Sequence, residues 1–112
     1  MTGFERGDIL LVGFLFSEES GPKLRPALVV SSTDYNRARQ EVIIAPITSN
    51  VRRLLFGDHI VGDWKGAGLL FPSVVTGILR TIKRSMIVRK IGSMPKRDVA
   101  AVDRNLRGVL SL

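Results

Sequence analysis

The chain has 112 residues, the size of one domain, and 45% of them are apolar, enough for a core and too many for a disordered tail. Seventeen basic residues face ten acidic ones, a net charge of +7, and twelve of the seventeen are Arg, whose flat fork of donors suits phosphate. There is no cysteine, which excludes disulfides and thiolate metal sites, and no apolar run nears the roughly 20 residues that span a bilayer.

The opening Met1-Thr2-Gly3-Phe4-Glu5-Arg6 lacks the basic stretch and apolar core of an export signal, so a cytoplasmic location is expected. Residues 8–16 form a long apolar run that reads as a strand buried on both faces. The polar cluster 17–22 reads as a turn, and residues 25–32 as a second strand with Pro26 at its start or on an edge. Residues 33–40 suit a loop or one short helical turn, and 42–49 a third strand with Pro46 near its exit. From Asn50 to Gly68 the pattern weakens into a loop-rich excursion with a short strand near 58–61. Further short strands are expected at 69–71, 73–75 and 78–82, and a last one at 85–92.

The period then changes. Ser93 is a candidate helix cap, Pro95 fits a first turn, and Asp98 suits the positive end of a helix dipole. Val99, Val102, Leu106, Val109 and Leu110 recur at spacings of three and four, one apolar helical face fit to pack over an open end of a barrel. The expected architecture is one domain, 1–112, mainly antiparallel β, rolled into a small barrel with a C-terminal helix.

Most enzyme chemistries lack their residues here. His59 is the one histidine, so no histidine pair can act as acid and base, and a structural role for it is expected. The carboxylates are scattered without ligand spacing, so neither a metal nor a cofactor is expected. No glycine-rich phosphate loop precedes a helix. Two segments stand out instead: Lys23-Leu24-Arg25-Pro26, with cations leading into an apolar strand, and Ala45-Pro46-Ile47-Thr48-Ser49, with hydroxyls where a strand runs out. If those strands lie together, Arg25 and Thr48 converge in a pair suited to a phosphodiester, where charge grows on non-bridging oxygens. On residue types alone, a solvated strand-edge Arg25 and a turn-forming Thr48 is the stronger reading.

The order of these segments shifts that balance. Gly7-Asp8-Ile9, the stretch from Lys23 to Val30, Asn36, Ala45 to Ser49, Pro72-Ser73-Val74-Val75, Thr81-Ile82 and Ile91-Gly92 before a terminal helix together resemble the MazF/PemK toxin family. The resemblance implies an SH3-like antiparallel β-barrel of the MazF/PemK/CcdB kind. It implies a metal-independent endoribonuclease that cuts single-stranded RNA, an mRNA interferase of a type II toxin–antitoxin pair. Arg25 matches the family's arginine that binds the scissile phosphate and serves in acid catalysis; Thr48 matches the hydroxyl that steadies it. The ribose 2′-OH is the nucleophile, leaving a 2′,3′-cyclic phosphate and a 5′-OH, so DNA should resist. A homodimer and an acidic antitoxin protein over the RNA groove are implied as well.

Lys23, Ser49, Arg52, Arg53 and Trp64 are the candidate RNA contacts, with Phe56 and Tyr35 as further rings able to stack on bases. One departure matters: Thr76 and Gly77, and Lys83 after Thr81-Ile82, stand where some members carry acidic or basic groups. No general base is evident; Glu41 or a residue of the 52–56 loop is the available substitute. The alternative function is a non-catalytic SH3-like binding module, a gyrase-poisoning toxin included, which has no need of the Arg25 and Thr48 pairing.

Overall fold

Three eight-residue strands, β1 (Asp8–Leu15), β2 (Pro22–Val29) and β3 (Glu41–Thr48), run antiparallel and carry two hydrophobic clusters of the described residues. The structure, a computed structural model, describes residues 3–15 and 21–112. The expected end of the first strand at Phe16 and the turn at 17–20 lie outside the described residues. Side chains alternate across a strand, so each of the three feeds both faces. Ile9, Leu28, Ala45 and Ile47 enter one cluster, and Leu10, Val12, Ala27, Val29, Val42 and Ile44 the other. This double burial is why the segments read as unbroken apolar runs.

Four shorter strands complete the sheet: β4 (His59–Ile60), β5 (Val74–Val75), β6 (Arg80–Lys83) and β7 (Ile87–Ser93). Neighbours run β4-β5-β3-β2-β1-β7, and β6 also pairs with β3. The second cluster is closed by Ile82 of β6 with Phe4, Met86 and Ile87 against it, so the sheet wraps round it as a small barrel. The first is covered by Val61, Ala67, Leu69 and the C-terminal helix α2 (Lys96–Leu110). That helix lies over a face of the sheet, beside β4, rather than plugging an end.

Pro26 sits inside β2, deeper than the strand start or edge the sequence implies, and Pro46 sits near the exit of β3 as expected. The Val30 amide donates to the Ile43 carbonyl, so even-numbered residues of β2 and odd-numbered residues of β3 aim their backbone groups at each other. Pro26 therefore turns its missing N–H toward β3, beyond the last ladder pair, Ala27 with Pro46. Pro46 turns the other way, into the gap between the β6 pairs, which end at Ile44, and the β5 pairs, which begin at Ile47. Its carbonyl accepts from the Thr76 amide and hydroxyl, so a strand interior tolerates proline where no ladder bond is lost.

Several boundaries differ from expectation. Of the loop or short helical turn expected at 33–40 the structure has the helix, α1 (Thr33–Ala38), which ends two residues earlier; the Ser32 hydroxyl accepts from the Tyr35 amide and caps it. Residues 69–71 are not a strand: the amides of Ala67, Gly68 and Leu69 bond back to Asp63, Lys65 and Trp64, a run of tight turns. Ser93 is not a helix cap but the end of β7, and α2 starts after Pro95 without a side-chain cap. Val102 is buried and Val99 and Leu106 pack beside it, whereas Leu110 is 50% exposed and leaves the core-facing stripe.

Candidate active site

At the rim of the second cluster the strand register collects three side chains. The β2–β3 pairing of Ala27 with Pro46, continued two residues, sets Arg25 opposite Thr48. On the far side of β3, Arg80 pairs with Ile44. Ile44, Pro46 and Thr48 share a face by alternation, so Arg25, Thr48 and Arg80 emerge together. All three line one cavity of about 760 Å³. Beneath them the Arg80 guanidinium lies 5.0 Å from the ring centre of buried Phe14, a cation–π contact that holds the charge at the rim.

Arg25 is exposed, and one of its terminal nitrogens donates to the Leu24 carbonyl at 3.1 Å. Among the described residues no carboxylate pairs with it. Four of its five donors thus stay available for an anion. The Thr48 Oγ1 accepts the Asn50 amide at 3.1 Å, and Asn50 in turn accepts the Arg52 amide at 3.2 Å. These two turns hold the Thr48 oxygen in place and leave its proton free to donate into the cavity. Two guanidinium groups and a hydroxyl on one wall form a site for a phosphate that gains charge.

Among the described residues, no carboxylate or imidazole lines this cavity. Glu41 does not serve as the missing base: it is paired with Arg39 at 2.8 Å, at the opposite end of β3. At about 3.3 Å per residue that is roughly 23 Å from Thr48. Lys83 stands opposite Glu41 at that same end, so this departure from the family pattern does not touch the site. Gly77 has a physical cause. A Cβ there would lie 2.9 Å from the Phe56 carbonyl oxygen and 3.0 Å from the Gly57 Cα, and Gly57 itself holds a φ of +90°.

His59 lies off the cavity, its Nε2 2.8 Å from the Asp98 carboxylate, which also accepts the Gly62 amide at 2.8 Å. Asp98 is buried, and burial alone would raise its pKa. The amides of Gly62 and Asp63 and the His59 ring outweigh that and hold the carboxyl below the ordinary range. The group is a clamp between β4 and the first turn of α2.

Of the expected RNA contacts, Ser49 lines the cavity. Lys23 is exposed on β2, and Arg52 and Arg53 are exposed beyond the Thr48 turn. Trp64 packs half-buried against the first cluster, with the Lys65 ammonium 5.4 Å from its ring centre. Tyr35 carries the Arg39 guanidinium at 5.3 Å, and Phe56 lies over Gly108 of α2. Sequence reasoning missed Arg80, whose one signal is its place just before Thr81-Ile82. It also missed the apolar stretch of the wall: Leu70, Phe71 and Ile78.

With this geometry in view, the chain's relatives are informative. Endoribonuclease MazF6 of Mycobacterium tuberculosis (strain ATCC 25618 / H37Rv) is 34% identical over 93 residues, 80% of this chain and 81% of that protein. Among solved structures, Mycobacterium tuberculosis toxin MazF-mt6 superposes with a TM-score of 0.76 at 25% identity, over 94% of this chain and 97% of that one. An endoribonuclease in complex with its cognate antitoxin, from a mycobacterial species, shares the fold with a TM-score of 0.79 at 18% identity, over 97% of this chain and 96% of that one. The profile of the family described as PemK-like, MazF-like toxin of type II toxin-antitoxin system matches residues 5–110, and the chain belongs to that family.

Proposed function

We propose that this toxin is an endoribonuclease that cuts single-stranded RNA without a metal ion. The observation that carries the reading is the meeting of Arg25, Thr48 and Arg80 on one cavity wall, with the Thr48 proton left to donate. In the proposed reaction the ribose 2′-oxygen attacks the adjacent phosphorus while the bond to the 5′-oxygen breaks, giving a 2′,3′-cyclic phosphate and a 5′-OH. The 2′-OH proton passes to solvent, and the departing 5′-oxygen takes up a proton from solvent beside Arg25. Arg25 and Arg80 offset the charge that builds on the non-bridging oxygens, Arg25 also supports the departing 5′-oxygen, and Thr48 donates to the phosphate. DNA has no 2′-OH and is left intact. Lys23, Ser49, Arg52, Arg53 and Trp64 are the proposed RNA contacts, and of these Ser49 lines the cavity.

The proposed partners are a second copy of the chain and an acidic antitoxin that covers the basic groove; the mycobacterial relative bound to its cognate antitoxin supports the latter. Among the described residues no helix is long and apolar enough to cross a membrane, and a cytoplasmic site of action is part of the proposal. A purely binding module is the weaker reading, since it has no use for two arginines and a free hydroxyl on one cavity wall. The test is incubation of the purified protein with a long RNA in EDTA, followed by mapping of the ends. Cyclic phosphates on the 3′ ends support the mechanism; activity that vanished on chelation and returned with Mg²⁺ would replace it with a metal nuclease.

A further inference from the structure

Four apolar residues stand exposed on the cavity wall beside these cations: Leu70 (82%), Phe71 (62%), Ile78 (58%) and Leu24 (49%). Exposed apolar surface continuous with a charged site marks a binding surface. Among the described residues Phe71 is the exposed aromatic of the wall, since Phe14 is buried beneath Arg80.

The segment that presents Phe71 is held firmly at both ends. Leu69 is buried in the first cluster, and Gly68, at a φ of +88°, lies so close to β7 that a Cβ would sit 2.4 Å from the Ile91 carbonyl oxygen. A Cβ on Gly92 would come within 1.9 Å of the Ala67 carbonyl oxygen, so the two backbones are in direct contact. Downstream, the buried Ser73 donates from its hydroxyl to the Phe71 carbonyl at 2.7 Å, and its own carbonyl accepts the Val61 amide at 2.9 Å. Thus the ring is offered to solvent by a backbone fixed before anything binds, and little ordering cost attends its use.

We infer that Phe71 is a stacking platform for a nucleobase next to the phosphate held by Arg25, Thr48 and Arg80. The inference rests on the ribonuclease reading and deepens it. An open ring takes the π-face of an unpaired base, whereas a base in a duplex has both faces covered; the platform therefore selects single-stranded RNA. A purine, with its larger face, is the favoured neighbour. Leu70 and Ile78 complete an apolar floor under the base.

The test compares the wild type with F71A, F71L and F71W on an RNA oligomer and on versions made abasic on either side of the cut. The expected result is a drop in kcat/KM of roughly tenfold or more for F71A on the intact oligomer. On one of the abasic oligomers, wild type and F71A should be equal. F71W restores the rate and F71L does not. In addition, the fluorescence of F71W should be quenched by an uncleavable oligomer that is 2′-deoxy at the cut site. Equal losses on intact and abasic substrates, or no loss on either, overturn the inference. So does an F71A variant that cuts normally but changes from dimer to monomer, which makes the ring a subunit contact. If the wild type cuts no RNA at all, the ribonuclease reading fails, while the fluorescence titration still decides whether a base stacks on position 71.

Discussion

Arg25 and Thr48 differ in what they are tied to, and the expected phenotypes differ accordingly. Arg25→Ala removes a charge from an exposed site without opening a cavity, so folding should be unaffected while cleavage falls by about 2.7–4 kcal/mol of transition-state stabilisation, the loss typical of one such donor. Single-turnover rates on a folded variant check this; a wild-type rate would remove Arg25 from the mechanism. Thr48→Val is not a clean deletion, because the Thr48 oxygen also accepts the Asn50 amide. It should lower the rate and loosen the turn, whereas Thr48→Ser keeps both bonds and should retain most activity. If valine cut as fast as threonine, the hydroxyl would be a turn former alone. These two residues were singled out in the sequence by short segments of unusual composition, while their proposed role at a phosphate came from the family resemblance and not from residue type. Arg80 was not: an arginine opening a short strand is unremarkable until the pairing of β6 with Ile44 of β3 brings it to the same rim.

Among the elements, β1 to β3 and α2 could be read from the chain since their apolar runs are long enough for period and length to agree. Of the segments between residues 58 and 86, the short strands expected near 58–61, 73–75 and 78–82 are present as β4, β5 and β6, with their ends shifted because strands of two to four residues leave little period to fix a boundary. Residues 69–71 misled for a physical reason, as Leu70 and Phe71 are apolar without being buried. The junction of β4 with α2 carries its own expectation. The lowered pKa of Asp98 means its ionised form stabilises the fold above the ordinary carboxylate range, and that contribution is lost as the pH falls through the lowered folded value. Asp98→Asn keeps the shape and loses the charge-assisted bonds to His59 and Gly62, at a cost of about 1.5–3 kcal/mol for such a bond. Urea midpoints at neutral pH and in acid are the measurement; the gap between the two proteins should close in acid, and an unchanging gap would count against the clamp.

For the whole molecule, the net charge of +7 governs encounter with any polyanion. If Lys23, Arg25 and Arg80 each neutralise one phosphate, the logarithm of RNA affinity should fall with the logarithm of salt at a slope of about −2, at roughly 0.7 per contact on a single strand. A slope near zero would mean that stacking, not charge, sustains binding. The same surface sets the terms for an antitoxin. An acidic tail over Arg25 and Arg80 should compete with an uncleavable 2′-deoxy RNA, and its on-rate should drop as salt rises. Full inhibition with RNA still bound would place control on a separate face.

The contact of Gly57 with Gly77 constrains both positions. A Cβ on Gly57 would lie 3.2 Å from the Gly77 Cα and a Cβ on Gly77 3.0 Å from the Gly57 Cα, so neither position can gain a side chain while the other keeps its turn. A carboxylate introduced alone, as in Gly77→Asp, should cost stability and bring no catalytic gain, because the loop at Phe56 must first move away. An acid at position 77 therefore requires the backbone at Phe56 and Gly57, twenty residues earlier in the chain, to take another path first.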